Sequence, residues 1–118
     1  MKKFLLTCIA VACSLVAVAE ELLIEAESFS QRGGWVIDQQ FMDQMGSPYL
    51  MAHGMGIPVA DATAEINIPQ AGTYYVYART YNWTSPWTDA EGPGKFRLAL
   101  SGKLLKATLG HTGNSWQW

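Results

Sequence analysis

The feature that most constrains this chain is a two-residue period on either side of a turn. Ala64-Glu65-Ile66-Asn67-Ile68 alternates polar and apolar, Pro69-Gln70-Ala71-Gly72 has turn chemistry, and residues 73–81 alternate again. Side chains on a strand point to opposite faces at successive positions, so such a run fits a pleated strand and fails to form the stripe of an amphipathic helix. A hairpin over residues 64–81 is expected. Tyr74, Val76 and Ala78 form one stripe, and Tyr75, Tyr77, Arg79 and Tyr81 the other. The smaller, more apolar stripe is the expected core face. A second hairpin follows, in which Phe96, Leu98 and Leu100 alternate with Lys95, Arg97 and Ala99 before Ser101-Gly102-Lys103 turns the chain into residues 104–109. Residues 48–52 read as another strand. No amphipathic helix stands out, and at most a helical turn covers residues 39–44.

Two stretches read as irregular loops. Residues 30–45 contain Gly33-Gly34-Trp35 and several glutamines, and residues 82–94 contain Trp83, Pro86, Trp87, Asp89, Glu91, Gly92, Pro93 and Gly94. Long loops on a β scaffold are where binding residues concentrate. Six or seven short strands separated by turns indicate an all-β sandwich. The count falls short of the roughly eight strands of a jelly roll, and the chain stops on Ser115-Trp116-Gln117-Trp118. The expectation is a jelly-roll-type β-sandwich lacking its last strands, with Trp116 and Trp118 in the core.

The N-terminus constrains location. Residues 1–19 carry Lys2 and Lys3, an apolar stretch over residues 4–18 and the small-residue ending Ala17-Val18-Ala19, the layout of a cleaved signal peptide. An exported product, periplasmic or extracellular, is expected, with one domain over residues 20–118. The apolar run is shorter than the roughly 20 residues a spanning helix needs. Ala10-Val11-Ala12-Cys13 is a weak version of a bacterial lipoprotein signal, and anchoring at Cys13 is the less favoured alternative. Both cysteines, Cys8 and Cys13, lie within the signal, so disulfides and thiol chemistry are not expected in the mature domain. Loss of Lys2 and Lys3 from eight basic residues increases the excess of the ten acidic ones, which disfavours nucleic acid as a partner.

Residues 22–29, LLIEAESF, read as the first strand. In that conformation Glu25 and Glu27 share a face roughly 7 Å apart. Two such like charges either form a solvated face or are offset by a hard cation such as calcium. The tryptophans are the candidates for sugar binding, because sugar C–H groups pack on flat indole faces while acidic groups accept hydroxyl hydrogens. Trp83 and Trp87 flank Pro86 near Asp89 and Glu91, in a polar loop. The competing role is structural, with the indoles plugging the open end of a sandwich. Catalysis has little support. The chain has no G-x-S-x-G motif, and His53 and His111 stand apart in glycine-flanked loops, without the paired spacing of a zinc site.

The start IEAESF, the run Gly34-Trp35-Val36-Ile37-Asp38-Gln39-Gln40-Phe41-Met42-Asp43, the run Met45-Gly46-Ser47-Pro48-Tyr49-Leu50, the turn Pro69-Gln70-Ala71-Gly72-Thr73-Tyr74 and the run Arg79-Thr80-Tyr81-Asn82-Trp83 together resemble the N-terminal region of secreted bacterial FAD-dependent oxidoreductases, some of them labelled xanthan lyase-like. More loosely, the region is similar to the galactose-binding-like β-sandwich of carbohydrate-binding modules, whose first strand often begins with an EAE motif. The resemblance implies a structural calcium held by Glu25 and Glu27, with further ligands on a last strand that this sequence lacks. The flavin part does not carry over, and no FAD is expected on this chain, because a dinucleotide fold needs a strand, a G-x-G-x-x-G turn and a helix, and Gly54-Met55-Gly56 is only a G-x-G. The expected function is therefore that of a non-catalytic accessory domain working with the catalytic domain of a longer protein. The alternative is a free-standing carbohydrate-binding module that holds a glycan.

Overall fold

Trp35-Val36-Ile37-Asp38 combines two β-branched residues with an aromatic, and it forms the first strand, β1 (Trp35–Asp38). It pairs antiparallel with β2 (Tyr49–Ala52), with Trp35 opposite Ala52 and Asp38 opposite Tyr49. The computed structural model describes residues 20–84 and 94–118. β2 falls within the expected strand at residues 48–52, whereas β1 lies in a stretch expected to be a loop. That expectation is corrected: the turn residues Gly33 and Gly34 end where β1 begins, and the Gly34 N–H donates to the Ala60 carbonyl at 3.0 Å. The pairing that creates β1 is with β2, across a connection that local periodicity does not report.

That connection is organised by one carboxylate. Asp38 Oδ2 accepts the Gln40 N–H at 3.1 Å, an Asx turn that reverses the chain after β1. The same oxygen accepts the Tyr49 hydroxyl, and Tyr49 Oη in turn accepts the Phe41 N–H at 3.0 Å. A single helical turn, α1 (Met42–Met45), follows, overlapping the expected helical turn. Gly46 closes it by donating its N–H to the Met42 carbonyl at 2.8 Å. Arg79 reaches from a distant part of the chain to donate from Nη1 to the Met45 carbonyl at 3.0 Å, satisfying an acceptor that the helix end leaves open.

The second small sheet is the expected hairpin of β3 (Ala99–Leu100) and β4 (Lys103–Leu104). Ser101 and Gly102, at φ 49° and 76°, are both left-handed, which is the type I′ geometry that matches the twist of a two-residue hairpin. Leu98 accepts the Leu105 N–H at 2.8 Å, and farther along Phe96 and Leu109 exchange both backbone bonds, at 3.0 and 2.9 Å. The returning strand thus carries extra residues between Leu105 and Leu109. The slip is by an even number, so Phe96 and Leu109 still share a face, and both are half-buried.

Two further pairs of backbone bonds tie the chain together, Gln31 with Thr63 and Thr80 with Gln117. The centre of packing is aromatic. Tyr49 is only 8% exposed and meets Trp116 at 4.9 Å between ring centroids. Trp116 lies 5.6 Å from Tyr81, and Tyr81 meets Phe41 edge-on at 5.1 Å. A separate edge-on contact at 5.6 Å between Trp35 of β1 and Phe96 joins the two hairpins. Such pairs contribute about 0.5–1.5 kcal/mol each beyond the area they bury.

Three further expectations are corrected. Residues 22–29 form no strand; a 3-10 turn occupies Ala26–Ser28, because Ser28 donates both its N–H (3.0 Å) and its hydroxyl (2.6 Å) to the Glu25 carbonyl. Such local side-chain bonding competes with a ladder. The hairpin expected at residues 64–81 has no ladder of its own, and residues 73–79 run without bend or turn. Trp118, expected in the core, is 74% exposed, whereas Trp116 is half-buried. The described residues are thus mostly non-helical, with antiparallel strands in two small sheets. Among them, no helix is long and apolar enough to cross a membrane.

Candidate functional site

The sequence-predicted Trp83 follows the most deeply buried polar residue described, Asn82, which is 3% exposed. Burial of an amide demands partners. Asn82 Nδ2 donates to the His111 carbonyl at 3.3 Å, and Asn82 Oδ1 accepts the Thr84 hydroxyl at 2.8 Å. The amide thereby pins the start of the 82–84 segment to the segment that follows β4. Next to it Gly94 and Gly110 cross closely. A Cβ on Gly110 would lie 2.5 Å from the Gly94 carbonyl oxygen and 2.8 Å from the Phe96 ring, and Gly110 has φ +81°. Only glycine fits there.

Trp83 is half-buried, and its ring lies 6.2 Å from that of His53 at an interplanar angle of 47°. The two rings make an aromatic corner. A shallow depression of about 410 Å³ is lined by Lys95, Phe96, Arg97, Thr108 and His111, the residue whose carbonyl Asn82 binds. His111 Nδ1 is buried without a hydrogen-bond partner among the described residues. Trp83 and His53 supply flat rings, and the depression supplies an imidazole and cationic side chains, groups that hold hydroxyl-rich or anionic ligands. The histidines that look isolated in the sequence are both recruited to one segment, His53 by its ring and His111 by its backbone.

The chain matches no family model, no curated protein and no solved structure. Its site is therefore read from geometry alone.

Of the four residues expected to bind sugar, Trp83 takes the position just given, and Trp87, Asp89 and Glu91 lie outside the described residues. Signal residues 1–19, including Cys13, also lie outside them. Glu25 and Glu27 are described, and their expected shared strand face is corrected. Glu25 is extended, at φ −86° and ψ 116°, and Glu27 sits within the 3-10 turn that follows. A three-residue turn rotates positions i and i+2 away from one another. Calcium takes six to eight oxygens, and among the described residues no group of three or more acidic, histidine or cysteine side chains is placed to hold a metal ion.

One ionisation is strongly perturbed. Burial, followed by the hydrogen bond to Asp38, pushes the Tyr49 hydroxyl up to about 12. Its position between two strands and an aromatic ring makes it a structural phenol, held neutral at any physiological pH. Asn82 and His111 had no sequence signal. Their roles arise from a contact between segments far apart in the chain, and the one available hint was the glycine at position 110.

Proposed function

We propose that residues 20–118 form a non-catalytic, exported accessory domain of jelly-roll type that packs against the catalytic domain of a longer protein. The observation that carries this reading is an open groove of about 380 Å³ in which Leu22, Leu23, Ile24 and Ile66 are joined by the polar Glu25, Ser28 and Asn67. Leu22, Leu23 and Ile24 are 43, 76 and 42% exposed. Covering a side chain of this kind contributes about 1.5–3 kcal/mol, so three adjacent ones make a strong incentive for a neighbouring domain. The resemblance to the N-terminal region of FAD-dependent oxidoreductases supplies the nature of that neighbour. The deciding experiment is the intact mass of the native secreted product. A mass well above the 13.0 kDa of this chain is expected; a mass matching residues 20–118 alone would refute the accessory role.

A second reading is favoured by Trp83 beside His53 and the cation-lined depression, namely a carbohydrate-binding module that stacks a sugar ring on Trp83. Titration of tryptophan fluorescence with polysaccharides tests it. Saturable quenching that disappears in Trp83→Ala supports the module, and unchanged emission refutes it.

A further inference from the structure

The antiparallel pairing of β1 with β2 is interrupted just past its end. Trp35 lies opposite Ala52, yet the preceding residue, Gly34, donates its N–H to the Ala60 carbonyl at 3.0 Å, and Gln31 exchanges both backbone bonds with Thr63. Residues 53–59 therefore leave the pair and return to it, an excursion whose two ends stay close together. Short closed loops of this kind on a β scaffold are frequent sites of function. Its tip is a tight turn in which the Ile57 N–H donates to the Gly54 carbonyl at 2.9 Å, with Met55 and Gly56 both left-handed at φ 53° and 86°. A methionine held there is strained, and such strain collects at segments that hold ligands.

His53 stands at the mouth of the excursion. A Cβ on Gly54, the next residue, would collide with the Ile57 carbonyl oxygen, so the backbone that carries His53 is fixed by the turn after it and by β2 before it. The His53 side chain is exposed, its ring lies 6.2 Å from that of Trp83 at an angle of 47°, and its nitrogens hydrogen-bond to no described residue. A neutral imidazole carries one N–H donor and one acceptor nitrogen. The face of an indole offers stacking and no such pair. The two rings together therefore match both parts of a sugar, its C–H face and its hydroxyl rim.

We infer that His53 is a ligand-binding residue of this corner, exchanging a hydrogen bond with a hydroxyl of a sugar ring stacked on Trp83. The inference rests on the reading of Trp83 as a sugar-stacking residue. It gives the excursion a purpose that the β1–β2 pairing does not require: residues 53–59 carry a polar partner to the side of the indole, and the closed turn holds it there before the sugar arrives. A side chain held in place in this way loses less freedom on binding than one on an open loop. A site built around a hydroxyl also discriminates against a ligand that lacks it.

Quenching of tryptophan emission by soluble β-glucan, xylan, mannan and pectin tests this on the full chain, in the parent and in His53→Phe, His53→Gln and Trp83→Ala, each with unchanged circular dichroism. Saturable quenching by at least one of these glycans, lost in Trp83→Ala, is expected of the parent. His53→Phe keeps a flat ring beside Trp83 and removes both nitrogens, so its Kd should rise about tenfold. His53→Gln removes the ring and restores a donor and an acceptor, so its Kd should stay within about threefold of the parent. A ring with a purely structural role would give the opposite order. Parent-like binding by His53→Phe, or equal losses in the two variants, would overturn the inference and leave stacking on Trp83 standing. No quenching of the parent by any of the four, or quenching that persists in Trp83→Ala, would refute the sugar reading and the inference with it.

Discussion

Replacing Tyr49 with phenylalanine removes one oxygen and leaves the ring in place against Trp116, at 4.9 Å. That oxygen donates to the Asp38 carboxylate and accepts the Phe41 N–H at 3.0 Å. A hydrogen bond to a charged partner is worth about 1.5–3 kcal/mol and a neutral one about 1 kcal/mol. Asp38 keeps the Gln40 N–H, which offsets part of the loss, so the expected cost is about 3 kcal/mol. Domains have only about 0.05–0.15 kcal/mol of stability per residue, so this is a large fraction of the whole. With a urea slope of about 2 kcal/mol/M, the unfolding midpoint should fall by about 1.5 M. Tyr49→Ala loses the ring contact as well and should be worse, since deleting a buried aromatic costs about 3–5 kcal/mol. Urea unfolding followed by tryptophan emission measures all three proteins. A phenylalanine variant whose midpoint lies within about 0.3 M of the parent would refute the reasoning, because the error on such midpoints is smaller than the shift expected. An alanine variant no worse than phenylalanine would refute the role of the ring.

Three further outcomes follow from the same geometry. The Tyr49 hydroxyl is raised to about 12, so the unfolded chain loses its proton first; the stabilisation is complete below about pH 10 and is lost as pH rises through 12. Alkaline unfolding should be steeper in the parent than in Tyr49→Phe, and tyrosinate absorbance should show one phenol titrating late. Gly110→Ala would place a methyl 2.5 Å from the Gly94 oxygen at a left-handed φ; a loss of about 2–4 kcal/mol is expected, and native-like thermal stability would count against the close crossing. Asn82→Ala leaves the His111 carbonyl and Thr84 hydroxyl without their partner; a cost of about 1–3 kcal/mol is expected, with a change in Trp83 emission that a remote surface variant such as Lys103→Ala should not cause.

The parts of the fold that sequence makes legible are those whose cause is local. Ser101-Gly102 demands a positive φ and therefore a tight turn, so the β3–β4 hairpin follows from two residues and their alternating flanks. Residues 49–52 and the turn at Met42–Met45 are equally local. Alternation reports the faces of residues 73–79 only in part: Tyr75 and Tyr77 are more than two-thirds exposed and Tyr74 and Ala78 half-buried, but Val76, expected on the core face, is 57% exposed and Arg79, expected on the other, is half-buried. It does not report a partner, and the ladder expected with residues 64–68 is not made. At residues 22–29 the period-two pattern is the same, yet one serine hydroxyl shifts the backbone into a turn. The site follows the same division. Trp83 is legible as an indole among turn residues, whereas Asn82 and His111 acquire their roles from a crossing of distant segments.

The aromatic cluster also bears on how the molecule reaches its native state. Phe41 and Tyr49 sit close together on the arch between β1 and β2, while Tyr81 and Trp116 must arrive from far along the chain. Contacts between residues distant in sequence carry a loop-closure cost before they return any stabilisation, and chains dominated by them fold slowly. The β1–β2 arch and the I′ hairpin are local enough to form early, but the ring cluster that ties the arch to Tyr81 waits for Trp116. During that interval the apolar side chains of residues 22–24 are in water, at the stage when uncovered apolar surface leads most readily to aggregation. Slow closure of one ring cluster thus makes the yield of folded protein depend on chain concentration during refolding.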